Sequence, residues 1–222
     1  MSNKTLFESI DQYIGGLLAP EDDILRSTRE SLSKAGMPQH SIFPNQGKLL
    51  QLLMFSIQAK RVLEIGTLGG YSTIWLARAL PEDGQLISIE LDKNYARLAR
   101  NNIRQAGLEK KVEIRAGEAL EVLEQLNREE QETFDLFFFD AHKPSYINYF
   151  NWAISRSRPG ALIIADNVIR NGEVLNEQSE DEKARGVRSF HEMLSQRDDV
   201  HSTVILNASG NGIDGMSLAF VK

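Results

Sequence analysis

VLEIGTLGGYST, residues 62–73, is a short apolar run that breaks at a glycine-rich turn and resumes with helix-forming residues. A strand that stops at Gly66 and gives way to a helix is the opening of a βαβ unit. Gly66 lets the chain turn tightly and approach a ligand, and Gly69 and Gly70 loosen the loop before the next helix. The dinucleotide fingerprint G-x-G-x-x-G needs a small central glycine to admit a pyrophosphate, and here that place holds Leu68. Glu64, an acid inside the strand end, would repel phosphate and suit a cation.

The same rhythm continues outward. Apolar runs at 61–66, 85–90, 111–116, 134–140, 161–166, 201–206 and 216–221 alternate with helical stretches. The clearest helix is DKNYARLARNNIRQAG, residues 92–107, with Asp92 as N-cap, Tyr95, Leu98, Ala99 and Ile103 on one face, and Gly107 as the stop. Only the turn NASGNGIDG separates the last two runs, which predicts an antiparallel hairpin at the sheet edge. Residues 4–60 read as helical, strongest at Lys48–Gln58, where Asn45 is a candidate cap after Pro44. The segment 170–183 is polar and acidic; it reads as a solvated loop running into a helix, with a mobile lid as the alternative. Trp75 and Trp152 fall in helices and read as core.

At 41% hydrophobic and 25% charged, 222 residues make an ordinary globular chain, read as one domain with a helical arm over 1–60 and an α/β core over 61–222. Zero cysteines exclude disulfides, thiolate catalysis and sulfur-bound zinc, and suit a reducing, cytoplasmic setting. The net charge of −6 argues against a nucleic-acid partner. No apolar run reaches membrane-spanning length, and the first residues do not resemble a signal peptide.

Ligands of parallel α/β sheets sit at the carboxyl ends of the strands. Glu90 ends the second strand, where an acid accepts from ribose hydroxyls, so a nucleoside carrying a positive group suits this loop. Two later strands also end in acids: FDLFFFD in Asp140, and ALIIADN in Asp166 with Asn167. Each acid alone would read as a cap or turn. Together, two carboxylates and an amide oxygen are hard donors that suit Mg²⁺. The phenylalanines before Asp140 read as a strand buried on both faces.

VLEIGTLGGYST, SIE (88–90) and RAGEALEVL (115–123) resemble the S-adenosyl-L-methionine (AdoMet)-binding half of the class I methyltransferases. D-A-H-K-P-S-Y (140–146) followed by Asp166-Asn167 is similar to the motifs of the metal-dependent caffeoyl-CoA and catechol O-methyltransferases. The resemblance implies a Rossmann-like, doubly wound, mostly parallel seven-stranded sheet with an antiparallel C-terminal hairpin. It implies AdoMet contacts from Ile42, Glu64, Gly66, Thr67, Ser72, Glu90 and Ala119, with Asp140 counted among them. It assigns Asp140, Asp166 and Asn167 to Mg²⁺, or to another divalent ion such as Mn²⁺ or Ca²⁺, and Lys143 to the general base, its pKa brought down by burial and the nearby metal. It also implies a catechol-like acceptor and a homodimer through the N-terminal helices. His142 departs from relatives that carry an acid there, which bears on the acceptor. A tRNA hydroxyuridine methyltransferase and, from another class, a nicotinamide-dependent reductase are the alternatives.

Overall fold

The computed structural model describes residues 3–129, 132–209 and 212–222. Three helices come first: α1 (Asn3–Leu18), α2 (Asp23–Lys34) and α3 (Pro44–Ser56). The strands β1 (Arg61–Ile65), β2 (Gln85–Glu90), β3 (Val112–Ala116), β4 (Phe134–Phe139), β5 (Ser157–Asp166), β6 (Val200–Ser209) and β7 (Gly212–Val221) form one sheet in the order β3-β2-β1-β4-β5-β7-β6. Between them lie α4 (Tyr71–Ala79), α5 (Lys93–Gln105), α6 (Ala119–Glu129), α7 (Tyr146–Ser155) and α8 (Glu182–Ser195). Two compact units divide the chain: Asp11–Gln131, and Met1–Ile10 with Glu132–Lys222.

In the first unit, β1, β2 and β3 pair in parallel. α5 follows the predicted boundaries. Asp92 Oδ1 accepts from the N–H groups of Asn94 and Tyr95 at 2.6 and 3.2 Å, a cap worth about 1 kcal/mol. Gly107 stands just past the helix at φ +68°, the left-handed C′ position. Its buried stripe is Ala96, Ala99, Asn102 and Ile103, with Tyr95 and Leu98 half-buried beside it. Trp75 in α4 is buried, as expected.

The helical arm is broken where the sequence reads as continuous. α1 ends before Ala19-Pro20, and residues 35–43 are irregular, opening at Gly36 with φ +65°. Phe43, not Asn45, is the N-cap of α3. Pro44 takes the first helical position, where its missing N–H costs nothing. The Phe43 N–H is met by Gln46 Oε1 at 2.8 Å, and Asn45 Nδ2 instead donates to Asp11 Oδ1 at 2.9 Å.

In the second unit, β4 pairs with β5 in parallel, β7 lies antiparallel to β5, and β6 antiparallel to β7. The expected hairpin is present, although Gly210 and Asn211 of its turn lie outside the described residues. β5 begins at Ser157, four residues before the apolar run, because Pro159 and Gly160 read as breakers yet sit where the β4–β5 register shifts between Phe134 and Leu136. Phe137, Phe138 and Phe139 are all 0% exposed, so the strand is buried on both faces. Each such ring contributes roughly 1.5–3 kcal/mol. Among the described residues no helix is long and apolar enough to cross a membrane.

Candidate active site

Two clusters of polar side chains form at strand ends, one in each unit. The first surrounds the glycine loop. Gly66 follows β1 at φ +99°, a conformation that glycine alone adopts freely. Leu68 adopts φ +49°, which is strained for a residue with a Cβ. The loop is held from below by Glu90, whose Oε2 accepts the N–H groups of Thr67 and Leu68 at 3.2 and 2.7 Å. Its Oε1 accepts from the Asp92 N–H at 2.9 Å. A carboxylate offers about four acceptor positions, so roughly one remains for an incoming hydroxyl. The amides that would cradle a phosphate in a dinucleotide loop are thus already bound to an acid.

Glu64 is fully buried, and its carboxylate accepts from Ser72 Oγ, Thr73 Oγ1 and Ser88 Oγ at 2.5, 2.5 and 2.6 Å. Thr67 Oγ1 shares a hydrogen bond with Ser88 Oγ at 2.5 Å. The hydroxyls of Thr67 and Ser72 therefore face inward, and Glu64 acts as the hub that ties β1 to α4 and β2. Ile42 and Ala119 are buried apolar residues with no side-chain polar group to join this network.

Gly69 and Gly70 do not loosen the loop. Gly69 permits close packing, and Gly70 permits a left-handed backbone turn. A Cβ on Gly69 would stand 2.8 Å from Leu32 Cδ2 of α2, and Gly70 caps α4 at φ +86° against Ala99. Asn102 of α5 locks the arrangement by donating to Gly69 O at 2.8 Å and to Ser31 Oγ at 2.9 Å.

The second cluster gathers at the ends of β4 and β5. Asp140 follows β4, Asp166 ends β5, and Asn167 comes next in the left-handed region at φ +56°, which asparagine tolerates. Lys143, only 6% exposed, donates to Asp140 Oδ1 at 2.9 Å and to the Tyr146 hydroxyl at 2.8 Å. Burial by itself pulls the Lys143 ammonium down, yet its net shift is upward, because the Tyr146 oxygen and the Asp140 carboxylate favour the charged form. The lowered value expected from the sequence belongs to the cation-bound site. Burial, and then the charge of Asp140, push the Asp166 carboxyl up to about 8.

Asp166, a buried acid whose ionisation is disfavoured by burial and by the nearby charge of the half-buried Asp140, forms with it a donor set that a divalent cation would neutralise. Among the described residues, three His, Cys, Asp or Glu side chains nowhere gather as a metal cage. A site here rests on two carboxylates with Asn167 as the third donor, and the residues fit the group.

Two neighbours were not foreseen from sequence. Asp214 Oδ1 accepts the N–H groups of Ile169, Arg170 and Gly215 at 2.9, 3.1 and 2.9 Å, pinning the chain just after Asn167. Arg188 of α8 donates to the carbonyls of Val174 and Glu177, both at 3.1 Å, and to that of Asn176. The 170–181 segment is thereby laid along α8 rather than left free. His142 is exposed and shares a hydrogen bond with Ser145 Oγ at 3.0 Å.

Comparison with known proteins identifies the family. The O-methyltransferase family model matches residues 17–220. The chain is 51% identical over 220 residues to a catechol O-methyltransferase of Niastella koreensis, covering 99% of this chain and 100% of the relative. The crystal structure of the O-methyltransferase TomG from Streptomyces achromogenes in complex with SAM superposes with a TM-score of 0.96 at 43% identity, covering 100% of both chains. An O-methyltransferase from Bacillus cereus in complex with SAH gives 0.96 at 42% identity, over 99% of this chain and 100% of that one. These likenesses leave no place for the reductase alternative. With one family model running nearly end to end and half of all residues shared with a full-length relative, the chain belongs to the O-methyltransferase family.

Proposed function

We propose that the chain, acting as one domain, transfers the methyl group of AdoMet to a hydroxyl of a catechol-like vicinal diphenol, with Mg²⁺ as the first candidate among divalent cations. The observation that carries this reading is the cluster in which the half-buried Asp140 and the buried Lys143 and Asp166 converge at two strand ends. Catechol O-methyltransferase as the name of a relative 51% identical supports the acceptor class. The SAM- and SAH-bound neighbours support the cofactor.

When bound, AdoMet supplies a sulfonium methyl, and a divalent cation supplies Lewis acidity and a template for two adjacent oxygens. Glu90 holds the loop amides and offers its remaining acceptor position to one ribose hydroxyl. Glu64 fixes β1 against α4 so that Gly66 and Thr67 present backbone rather than side chain to the cofactor. Ile42 and Ala119 contribute apolar walls. Asp140, Asp166 and Asn167 hold the cation. Lys143 would receive the acceptor's proton at Nζ once the Asp140 charge that retains its own proton is engaged by the cation and that proton has passed to solvent. Holding the reactants in line is worth about 7–11 kcal/mol.

The exposed apolar residues Leu6, Ile10, Tyr13 and Leu17 recur at helical spacing on α1. They support a homodimer formed through this helix, which light scattering would test. The cysteine-free sequence suits a cytoplasmic enzyme.

The test of the function is methyl transfer from labelled AdoMet to a panel of vicinal diphenols and to hypomodified tRNA. Turnover of a diphenol supports the proposal, whereas turnover of tRNA alone replaces it with the RNA-modifying alternative.

A further inference from the structure

The Tyr146 hydroxyl sits where three groups meet. It accepts from Lys143 Nζ at 2.8 Å, and its own proton faces the carbonyl oxygens of Phe139 at 3.0 Å and Asp166 at 2.9 Å. Phe139 closes β4 and is followed by Asp140; Asp166 closes β5 and is followed by Asn167. One phenol oxygen therefore touches the backbone at both acid-bearing strand ends and the ammonium between them.

The ring has little freedom. Tyr146 is 0% exposed and packs against Phe139, Tyr149 and Phe190 at centroid distances of 6.2, 6.3 and 5.6 Å. A phenylalanine would satisfy that packing. A hydroxyl so deeply buried is costly unless it is bonded, so what distinguishes tyrosine here is the three contacts it makes. The turn that carries Lys143 is confined from another direction as well. A Cβ on Gly186 of α8 would stand 2.7 Å from Pro144 Cα and 3.1 Å from the Lys143 carbonyl carbon.

We infer that Tyr146 and Gly186 are positioning residues: the Tyr146 hydroxyl sets the separation of the two ligand-bearing strand ends and aims the Lys143 amine, and the bare Gly186 lets α8 clamp the lysine's turn. This rests on the proposed roles of Asp140, Asp166, Asn167 and Lys143. Groups that orient metal ligands typically cost 10–100-fold in affinity or activity when removed.

The test uses the whole protein with Mn²⁺ as probe, followed by electron paramagnetic resonance, alongside steady-state kinetics with a vicinal diphenol. For Tyr146→Phe, Mn²⁺ affinity is expected to fall roughly 10–100-fold. Its kcat should fall while the KM for AdoMet stays unchanged, a split that general loss of packing would not give. For Gly186→Ala, kcat should fall with Mn²⁺ affinity retained, because only the lysine's turn is displaced. A folded Tyr146→Phe protein with wild-type Mn²⁺ affinity and kcat overturns the inference. If that variant does not fold, a folded Gly186→Ala protein with wild-type kcat overturns it. A wild-type protein that binds no Mn²⁺ contradicts the underlying metal reading instead, which keeps the two failures distinct.

Discussion

Lys143 Nζ lies 2.9 Å from Asp140 Oδ1, so the amine proposed to accept a proton is joined to the very carboxylate proposed to hold the cation. The two roles are coupled through one contact. While Asp140 faces the lysine, it stabilises the ammonium; the amine becomes a base only when that charge is directed elsewhere. Lys143→Ala should therefore spare cation binding and remove the proton acceptor. Loss of a general base costs roughly 10²–10⁴-fold in rate. The deficit should shrink as pH rises and the acceptor hydroxyl ionises unaided. A pH–rate profile at saturating Mg²⁺ checks this, and a variant with wild-type kcat near neutrality, under conditions where chemistry limits, would exclude Lys143 as the base.

The Asp166 carboxyl gives a stability signature. Its value is raised in the fold from 3.8 to about 8, so between those limits the folded chain holds a proton that the unfolded chain releases. The contribution is fully present below about 4 and is lost as pH rises through about 8. Chelator-treated protein should melt progressively lower across that window, and Asp166→Asn should flatten the trend. Added Mg²⁺ should restore more stability at pH 8 than at pH 6, since cation and proton compete for the same oxygens. Melting curves that rise with pH in both proteins would argue against a raised Asp166 carboxyl.

Glu90 has a double role that one variant separates from a surface acid. Glu90→Ala strands the N–H groups of Thr67 and Leu68 and removes the proposed ribose contact. AdoMet binding should weaken by about 1.5–3 kcal/mol, the scale of a charged hydrogen bond, and the melting temperature without ligand should also drop. Calorimetry showing intact AdoMet affinity would leave Glu90 with only its loop-holding role.

The contact between Gly69 and Leu32 can be read by a mutant cycle. Gly69→Ala puts a methyl 2.8 Å from Leu32 Cδ2 and should cost about 1–3 kcal/mol by overpacking. Leu32→Ala makes room for it, so the double variant should be more stable than the sum of the single losses predicts. Simple additivity in denaturant unfolding would show that the loop absorbs the methyl by itself.

Much of this architecture is legible in the chain because it is local. Alternating apolar runs gave the strands, Asp92 and Gly107 bound α5, and the acids at 90, 140 and 166 all stand at strand ends. What escaped the sequence depends on partners distant along it. Gly69 looked like flexibility until Leu32, from another helix, filled the space beside it. Asn45 has the chemistry of a cap, but Pro44 fixed the helix start ahead of it. The sequence announces the burial of Lys143 without showing how close Asp140 and Tyr146 come to it. That the hydroxyls of Thr67 and Ser72 bond Ser88 and Glu64 also depends on a neighbouring strand and could not be read from the loop alone.

The central claim is that one cation held at Asp140, Asp166 and Asn167 is required for methyl transfer to a vicinal diphenol. The most direct measurement is single-turnover transfer of a labelled methyl from AdoMet to catechol, with chelator-treated wild-type and Asp166→Ala proteins, before and after Mg²⁺ is restored. The account predicts that wild-type transfer returns with Mg²⁺, and that Asp166→Ala, while still binding AdoMet by calorimetry, stays inactive at every Mg²⁺ concentration. Full transfer by chelator-treated wild-type protein, or by Asp166→Ala, would contradict it.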